Sequence, residues 1–327
     1  MATYKGIQGY SVQKLSSDPT ASEANGQLWY NSTDGAFKIA TEGGGSWSAG
    51  GALSTGRNQL STIGNATAAV AAGGRSAPSG ATGVALCETY NGTAWTEVNN
   101  INTARTKMAS NGTSTAAFIA GGTTATGPGQ KDNMETWNGT CWSEQNNLQA
   151  ATYAATGFGT TTAALIAGEG LGPLSGATEK WNGTSWTEVN NLLTGTADAQ
   201  GDGSSTAAAI TGGDGLSHEQ YDGTSWTEKT NPANNRISGA GAGTTTSLLT
   251  YGGYDSAYGP PTDTPNVEEW NGSSWSEQNN IATVRTNTSG NGSSTNAILA
   301  GGYNGSYLGN TEEWVSPVYT IKTVTVS

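Results

Sequence analysis

His218 is the only histidine among 327 residues. Metal sites built on several imidazoles are therefore excluded, and this one residue would have to serve any His-based relay. It stands immediately before Glu219 in a strand-like stretch, so a structural or surface position is expected for it. Carboxylates are the larger reservoir, with 25 Asp and Glu. Glu88 and Glu97, Glu135 and Glu144, Glu179 and Glu188, Glu219 and Glu228, Glu268 and Glu277, and Glu312 recur at fixed places in a repeated unit, and repetition marks them as architectural. Asp132, Glu169, Asp214, Asp255 and Asp263 break that pattern. A glycosidase needs two carboxylates about 5–9.5 Å apart. Sequence does not supply that distance, so a glycan-active hydrolase stands as the alternative reading. Cys87 and Cys141 have neither C-x-x-C nor metal-ligand spacing and are expected as free thiols. No EF-hand spacing supports calcium. The expectation is a protein that is not an enzyme, with no catalytic residue, metal or cofactor.

Two stretches have instead the composition of a binding surface. Residues 254–266 read Y-D-S-A-Y-G-P-P-T-D-T-P-N, and residues 303–310 read Y-N-G-S-Y-L-G-N. Tyr254, Asp255, Tyr258, Asp263, Tyr303, Asn304 and Tyr307 are the candidate ligand-binding residues. Tyrosine offers rigid contact area and Asn adaptable hydrogen bonding. The bland reading, tyrosines that only pin long loops, stands beside it.

The elements that must position these loops are set by one hairpin. It reads E-K-W-N-G-T-S-W-T-E at 179–188 and recurs, with the same spacing, at 88–97, 135–144, 219–228 and 268–277. Asn-Gly or Asp-Gly between aromatics is a strong hairpin signal, most typical of a type I′ turn. The register stays open: Trp181 faces Thr184 across a two-residue turn or Trp186 across a four-residue loop. Either way both aromatics lie on one face. They are expected in the core, because an aromatic buries roughly 150–250 Å² and a lone hairpin cannot hide that face.

The second Trp recurs at Trp95, Trp142, Trp186, Trp226 and Trp275. Between hairpins come a strand start such as 103–105 or 283–285, a glycine-marked turn with hydroxyl residues such as 201–206, and an apolar strand ending in two glycines. Each period thus holds four short strands, a to d, and a period of about 40–50 residues points to a propeller blade. Loops b–c and d–a share one face, and the long b–c stretches named above belong to neighbouring repeats.

The diglycines Gly73-Gly74, Gly121-Gly122, Gly212-Gly213, Gly252-Gly253 and Gly301-Gly302, the aromatic in strand c and the Trp in strand d resemble the kelch motif over roughly residues 44–316. The third repeat departs, with Gly168-Glu169-Gly170. The resemblance implies an all-β, six-bladed kelch-like propeller. It implies no single function, since such scaffolds serve many. The copper site of some kelch-type oxidases is excluded by the single His. Five c-strand motifs are followed by a strand d. The sixth, at Glu312-Glu313-Trp314, is not, and Gly45-Ser46-Trp47-Ser48 supplies the missing strand from the other end of the chain. Closure of that kind removes sheet edges.

Three segments follow: 1–43 an N-terminal attachment arm with a hairpin, 44–316 the propeller closed by the strand around Trp47, and 317–327 a C-terminal strand or tail. In the arm, Leu28, Trp29, Tyr30, Phe37 and Ile39 lie outside the repeat pattern and are the candidate partner-attachment residues. The alternating segment 318–326 is expected to pair with the arm. The net charge of −12 disfavours nucleic acid. No apolar run approaches 18 residues and no signal-peptide core opens the chain, so no membrane insertion is expected and folding is placed in the cytoplasm of the producing cell.

The stretch G-Q-L-W-Y-N-S-T-D-G-A-F-K, joined to low-charge Gly/Thr/Ser/Asn repeats, resembles N-terminal hairpins and repeat proteins of marine tailed phages. That resemblance implies a virion protein, a tail-fibre-like appendage or surface decoration. Its partners would be other virion proteins, copies of itself and a host-surface glycan or protein. A purely structural capsid or tail joint is the further alternative.

Overall fold

The structure, a computed structural model, describes residues 12–20, 24, 26–42, 45–77, 82–124, 129–169, 174–255, 262–316 and 319–325. Among these residues there is no helix, and the chain divides into two compact units: Met1–Gly45 with Ser316–Ser327, and Ser46–Val315.

The larger unit contains six four-stranded antiparallel sheets, here sheets 1 to 6 in chain order, each running a-b-c-d. Their a strands are Ser61–Asn65, Ala109–Thr113, Thr156–Thr160, Gln200–Ser204, Ala240–Thr244 and Ser289–Ser293. Strand a of each sheet packs on strand a of the next, and the last packs on the first. In sheet 6 the fourth strand is Ser46–Gly50, with Trp47 opposite Trp314 and their rings 5.4 Å apart. This arrangement fits a multi-bladed propeller.

The hairpin register is the four-residue one. Trp181 faces Trp186, Trp137 faces Trp142, and Tyr90 faces Trp95. The turn is not type I′. Only the glycine is left-handed (Gly183, φ 92°), while Asn182 turns its Oδ1 back to accept from the amides of Thr184 and Ser185 at 2.9 Å each. The Asn earns its place through that side-chain turn rather than through tolerance of positive φ. Asp222 makes the same two bonds in sheet 4.

A second correction concerns strand a. The stretch 201–204, expected as a turn, belongs to the strand itself, and Ser205-Thr206 is the turn. The segment 103–105 leads into a strand instead of forming one. Glycine suits this strand because neighbouring backbone crowds it: a Cβ on Gly203 would lie 2.4 Å from the Ala207 carbonyl oxygen, and φ is 134° there.

Each aromatic pair packs onto the sheet before its own. Trp181 and Trp186 meet Phe118 of sheet 2, and Trp137 and Trp142 meet Ile63 and Val70 of sheet 1. Tyr90 of sheet 1 meets Ile298 of sheet 6. The repeated aromatics are therefore the apolar contact between sheets, and burying such a face drives neighbouring repeats together.

A strand-c glutamate then holds the chain entering its own sheet. Glu135 accepts from the amides of Asn102 (2.7 Å) and Thr103 (3.4 Å), Glu179 from Gln149 and Ala150, and Glu219 from Leu193 and Thr194. In sheets 1, 2, 5 and 6 a buried arginine joins it: Arg57–Glu88 and Arg105–Glu135 at 2.7 Å, Arg236–Glu268 at 2.9 Å, and Arg285–Glu312. The equivalent residues of sheets 3 and 4 are Thr152 and Thr196.

The smaller unit is a four-stranded sheet ordered Gln13–Leu15, Leu28–Asn31, Ala36–Glu42, Tyr319–Thr323, its first pair parallel and the rest antiparallel. Asp18 Oδ1 accepts from Trp29 Nε1 (2.9 Å) and Asn31 Nδ2 (2.8 Å), bonds that hold its carboxyl below the usual range.

Candidate functional site

Two residues after each Arg or Thr position, just before strand a, the backbone turns left-handed in all six sheets. The residues are Gln59, Lys107, Ala154, Asp198, Ser238 and Asn287, with φ between 50° and 60°. None is glycine; such a turn costs about 1–2 kcal/mol at an ordinary residue and less at Asp198 and Asn287, whose short polar side chains tolerate it. The compensation is a belt of inter-sheet bonds. Gln59 N donates to Asn287 O (2.8 Å), Lys107 N to Gln59 O (3.0 Å), Ala154 N to Lys107 O (3.0 Å), Asp198 N to Ala154 O and Ser238 N to Asp198 O (2.9 Å each). Six side chains from six sheets are thereby gathered at one mouth of the central channel.

Five of the six are polar, Ala154 being the exception. Lys107 Nζ reaches across to Asp198 Oδ2 at 2.5 Å, joining sheets 2 and 4, with both side chains about one-fifth exposed. Lys107 also lies 5.9 Å from the centre of the Tyr153 ring, within cation–π range. Gln59 Nε2 donates to Asn287 Oδ1 (3.1 Å). Beneath them the channel holds a cavity of about 120 Å³, lined in part by Thr62, Ser110, Gly157 and Gly201.

The predicted loops stand beside this mouth. Tyr254 pairs with Ile237, next to Ser238, in a three-stranded sheet of Arg236–Ile237, Tyr254–Asp255 and Thr262–Asp263. Burial, then the charges of Asp214 and Asp198, raise the Tyr254 pKa. Asp214 itself is anchored through its amide to Ala197 O (3.0 Å), and burial reinforced by Asp198 raises its carboxyl. Burial raises Asp263 too, and the charge of Asp255 acts on Arg236. Tyr303 bridges Thr286, next to Asn287, and forms a T-shaped pair with Tyr307 at 5.5 Å. Asn304 is exposed. Tyr258 lies outside the described residues.

Sequence reasoning missed Lys107, Asp198 and the rest of the belt. The available signal was a position of fixed register whose residue type changes in every repeat. Of the two positions expected for His218, structural or surface, it takes the first: it is fully buried, edge-on to Trp270 and Trp275, with Nδ1 2.9 Å from Thr230 O, and burial lowers its pKa. Cys87 is buried, its thiol pushed up to about 11 by desolvation, and Cys141 is exposed; both are free. Among the described residues no trio of His, Cys, Asp or Glu is gathered as for a metal ion.

In the arm, alternation puts Leu28, Tyr30, Phe37 and Ile39 on one face of the sheet, where Leu28 is 39% and Phe37 47% exposed and the Tyr30 and Phe37 rings meet at 5.2 Å. Trp29 points the other way and is the centre of the small core with Ala24 and Ala40.

No protein-family model matches the chain, and no curated protein matches it. No helix among the described residues is long and apolar enough to cross a membrane.

Proposed function

We propose that Ser46–Val315 closes as a six-bladed kelch-like propeller that binds a neutral glycan at the channel mouth, as part of a tail appendage or surface decoration of a tailed phage. The observation that carries the binding reading is the belt: six side chains held at fixed backbone geometry around one mouth, with its one cation, Lys107, already paired to Asp198. Asp198 and Asp214 offset the charge of Lys107, the one cation among the six belt side chains. Hydroxyls, amides and tyrosine faces suit a polyol. The arm attaches the propeller to other virion proteins or to copies of itself through the face bearing Leu28, Tyr30, Phe37 and Ile39. The low-charge Gly/Thr/Ser/Asn repeats and the arm hairpin support the virion assignment.

Binding of the full chain to an array of neutral and acidic glycans tests this. Neutral glycans should bind, and Asp198→Asn and Lys107→Met should each weaken them at least ten-fold. Binding that both variants leave unchanged would remove the mouth from consideration. Glycan turnover abolished by Asp255→Asn or Asp263→Asn would establish the hydrolase instead. Deleting Ser46–Gly50 tests the closure, since it exposes the edge of sheet 6; an unchanged melting temperature would count against a closed ring.

A further inference from the structure

The other end of the channel has a different chemistry. The middle residue of strand a alternates around the ring: Ile63, Phe158 and Ala242 are buried and apolar in sheets 1, 3 and 5, while sheets 2, 4 and 6 carry Asn111, Asp202 and Asn291. Those three polar side chains converge. Asp202 Oδ1 accepts from Asn111 Nδ2 (2.8 Å) and Gly203 N (2.7 Å), and Oδ2 accepts from Gly243 N (2.9 Å). Asn291 Nδ2 stands off at 3.5 Å from Oδ2. The amide oxygens are already engaged, Asn111 Oδ1 by Gly112 N and Asn291 Oδ1 by Gly64 N.

Asp202 is only 5% exposed, and among the described residues no cation pairs with it. It forms part of the wall of a cavity of about 690 Å³ on the a–b turn side, whose other lining groups are uncharged: Asn65, Thr113, Ser204, Thr244, Ser293 and Asn296 among them. A single unneutralised carboxylate inside a concave, otherwise neutral wall draws cations into it. Three donors within 3 Å leave one acceptor direction on Oδ2 only loosely used.

We propose that this cup is a second binding site, for a protonated primary amine carried on a hydroxylated body, an amino sugar being the simplest such ligand. The ammonium donates to Asp202 Oδ2 and to rim hydroxyls. A metal ion fits less well, because the oxygens it would need from Asn111 and Asn291 are held by backbone amides. The volume exceeds what a bare ammonium fills, and the rim of hydroxyl and amide groups matches a sugar ring.

Saturation-transfer NMR of the full chain, with glucosamine, N-acetylglucosamine, glucose and calcium chloride as probes at neutral pH, tests the site. Glucosamine should bind at least ten-fold more tightly than either neutral sugar, and Asp202→Asn should erase that preference. Should Asp202→Asn misfold, Thr244→Trp at the exposed rim fills the cup without touching the core and should block glucosamine equally. A neutral glycan from the array, held at the opposite mouth, should not displace glucosamine, which separates this site from the one proposed above. Equal affinity for the three sugars, preference surviving in both cup variants, or a response to calcium alone would each overturn the assignment.

Discussion

Sheets 1, 2, 5 and 6 and sheets 3 and 4 solve the same problem in two ways. All six keep the strand-c glutamate, because in all six the entering backbone amides need an acceptor. Only four keep the arginine. In those four the b–c connection is long, and Arg105 Nη1 donates to the carbonyls at its two ends, Gly121 O (2.7 Å) and Asn133 O (2.8 Å). Arg57, Arg236 and Arg285 do the same at Gly73 and Leu86, Gly252 and Asn266, and Gly301 and Asn310. In sheets 3 and 4 the connection is short and strands b and c go on pairing, Glu169 with Ser175 and Gly212 with Ser217. Thr196 Oγ1 alone reaches Gly212 O (3.2 Å) there. The guanidinium is thus the clamp of a long loop, and the glutamate is the clamp of the repeat. The loops that carry Tyr254 and Tyr303 stand on such clamps.

The largest expected effect is on a clamped sheet. Arg105→Met or Glu135→Gln leaves one buried charge without its partner and should cost about 3–5 kcal/mol in urea unfolding. Glu219→Gln, in an unclamped sheet, weakens the acceptor for two amides and for the Ser217 hydroxyl and should cost about 1–3 kcal/mol. Equal losses for Glu135→Gln and Glu219→Gln would break the comparison. Thr196→Ala removes two neutral bonds, one donated to Gly212 O and one accepted from Gly215 N, and should cost about 1–2 kcal/mol.

The smallest effect is a pH slope. Burial, the largest cause, raises the pKa of Glu179, which has no arginine. A carboxyl raised in the folded state binds its proton more tightly there than in the unfolded chain. Stability from this group therefore grows as pH falls through the raised pKa, and is least above it. Unfolding measured between neutral and mildly acidic pH should show wild type gaining on Glu179→Gln as pH falls. A constant difference would show that Glu179 is not penalised by burial.

What sequence could reveal is what short range controls. The Asn-Gly hairpins, the diglycine strand ends and the aromatic pairs act within about ten residues, so period and strand count were legible from them. The turn type and the location of strand a were misjudged, because a glycine-rich run reads as a turn until a neighbouring backbone is known to crowd it, as at Gly203. The belt was illegible for a stronger reason. Nothing in Gln59, Lys107 or Ala154 as residues prefers positive φ; inter-sheet hydrogen bonds hold them there. Lys107 and Asp198 are 91 residues apart, as are Asn111 and Asp202. Such pairs meet only when the sheets pack around a common axis, so local propensity determined the repeat while convergence of the a strands decided which of its variable positions share a site.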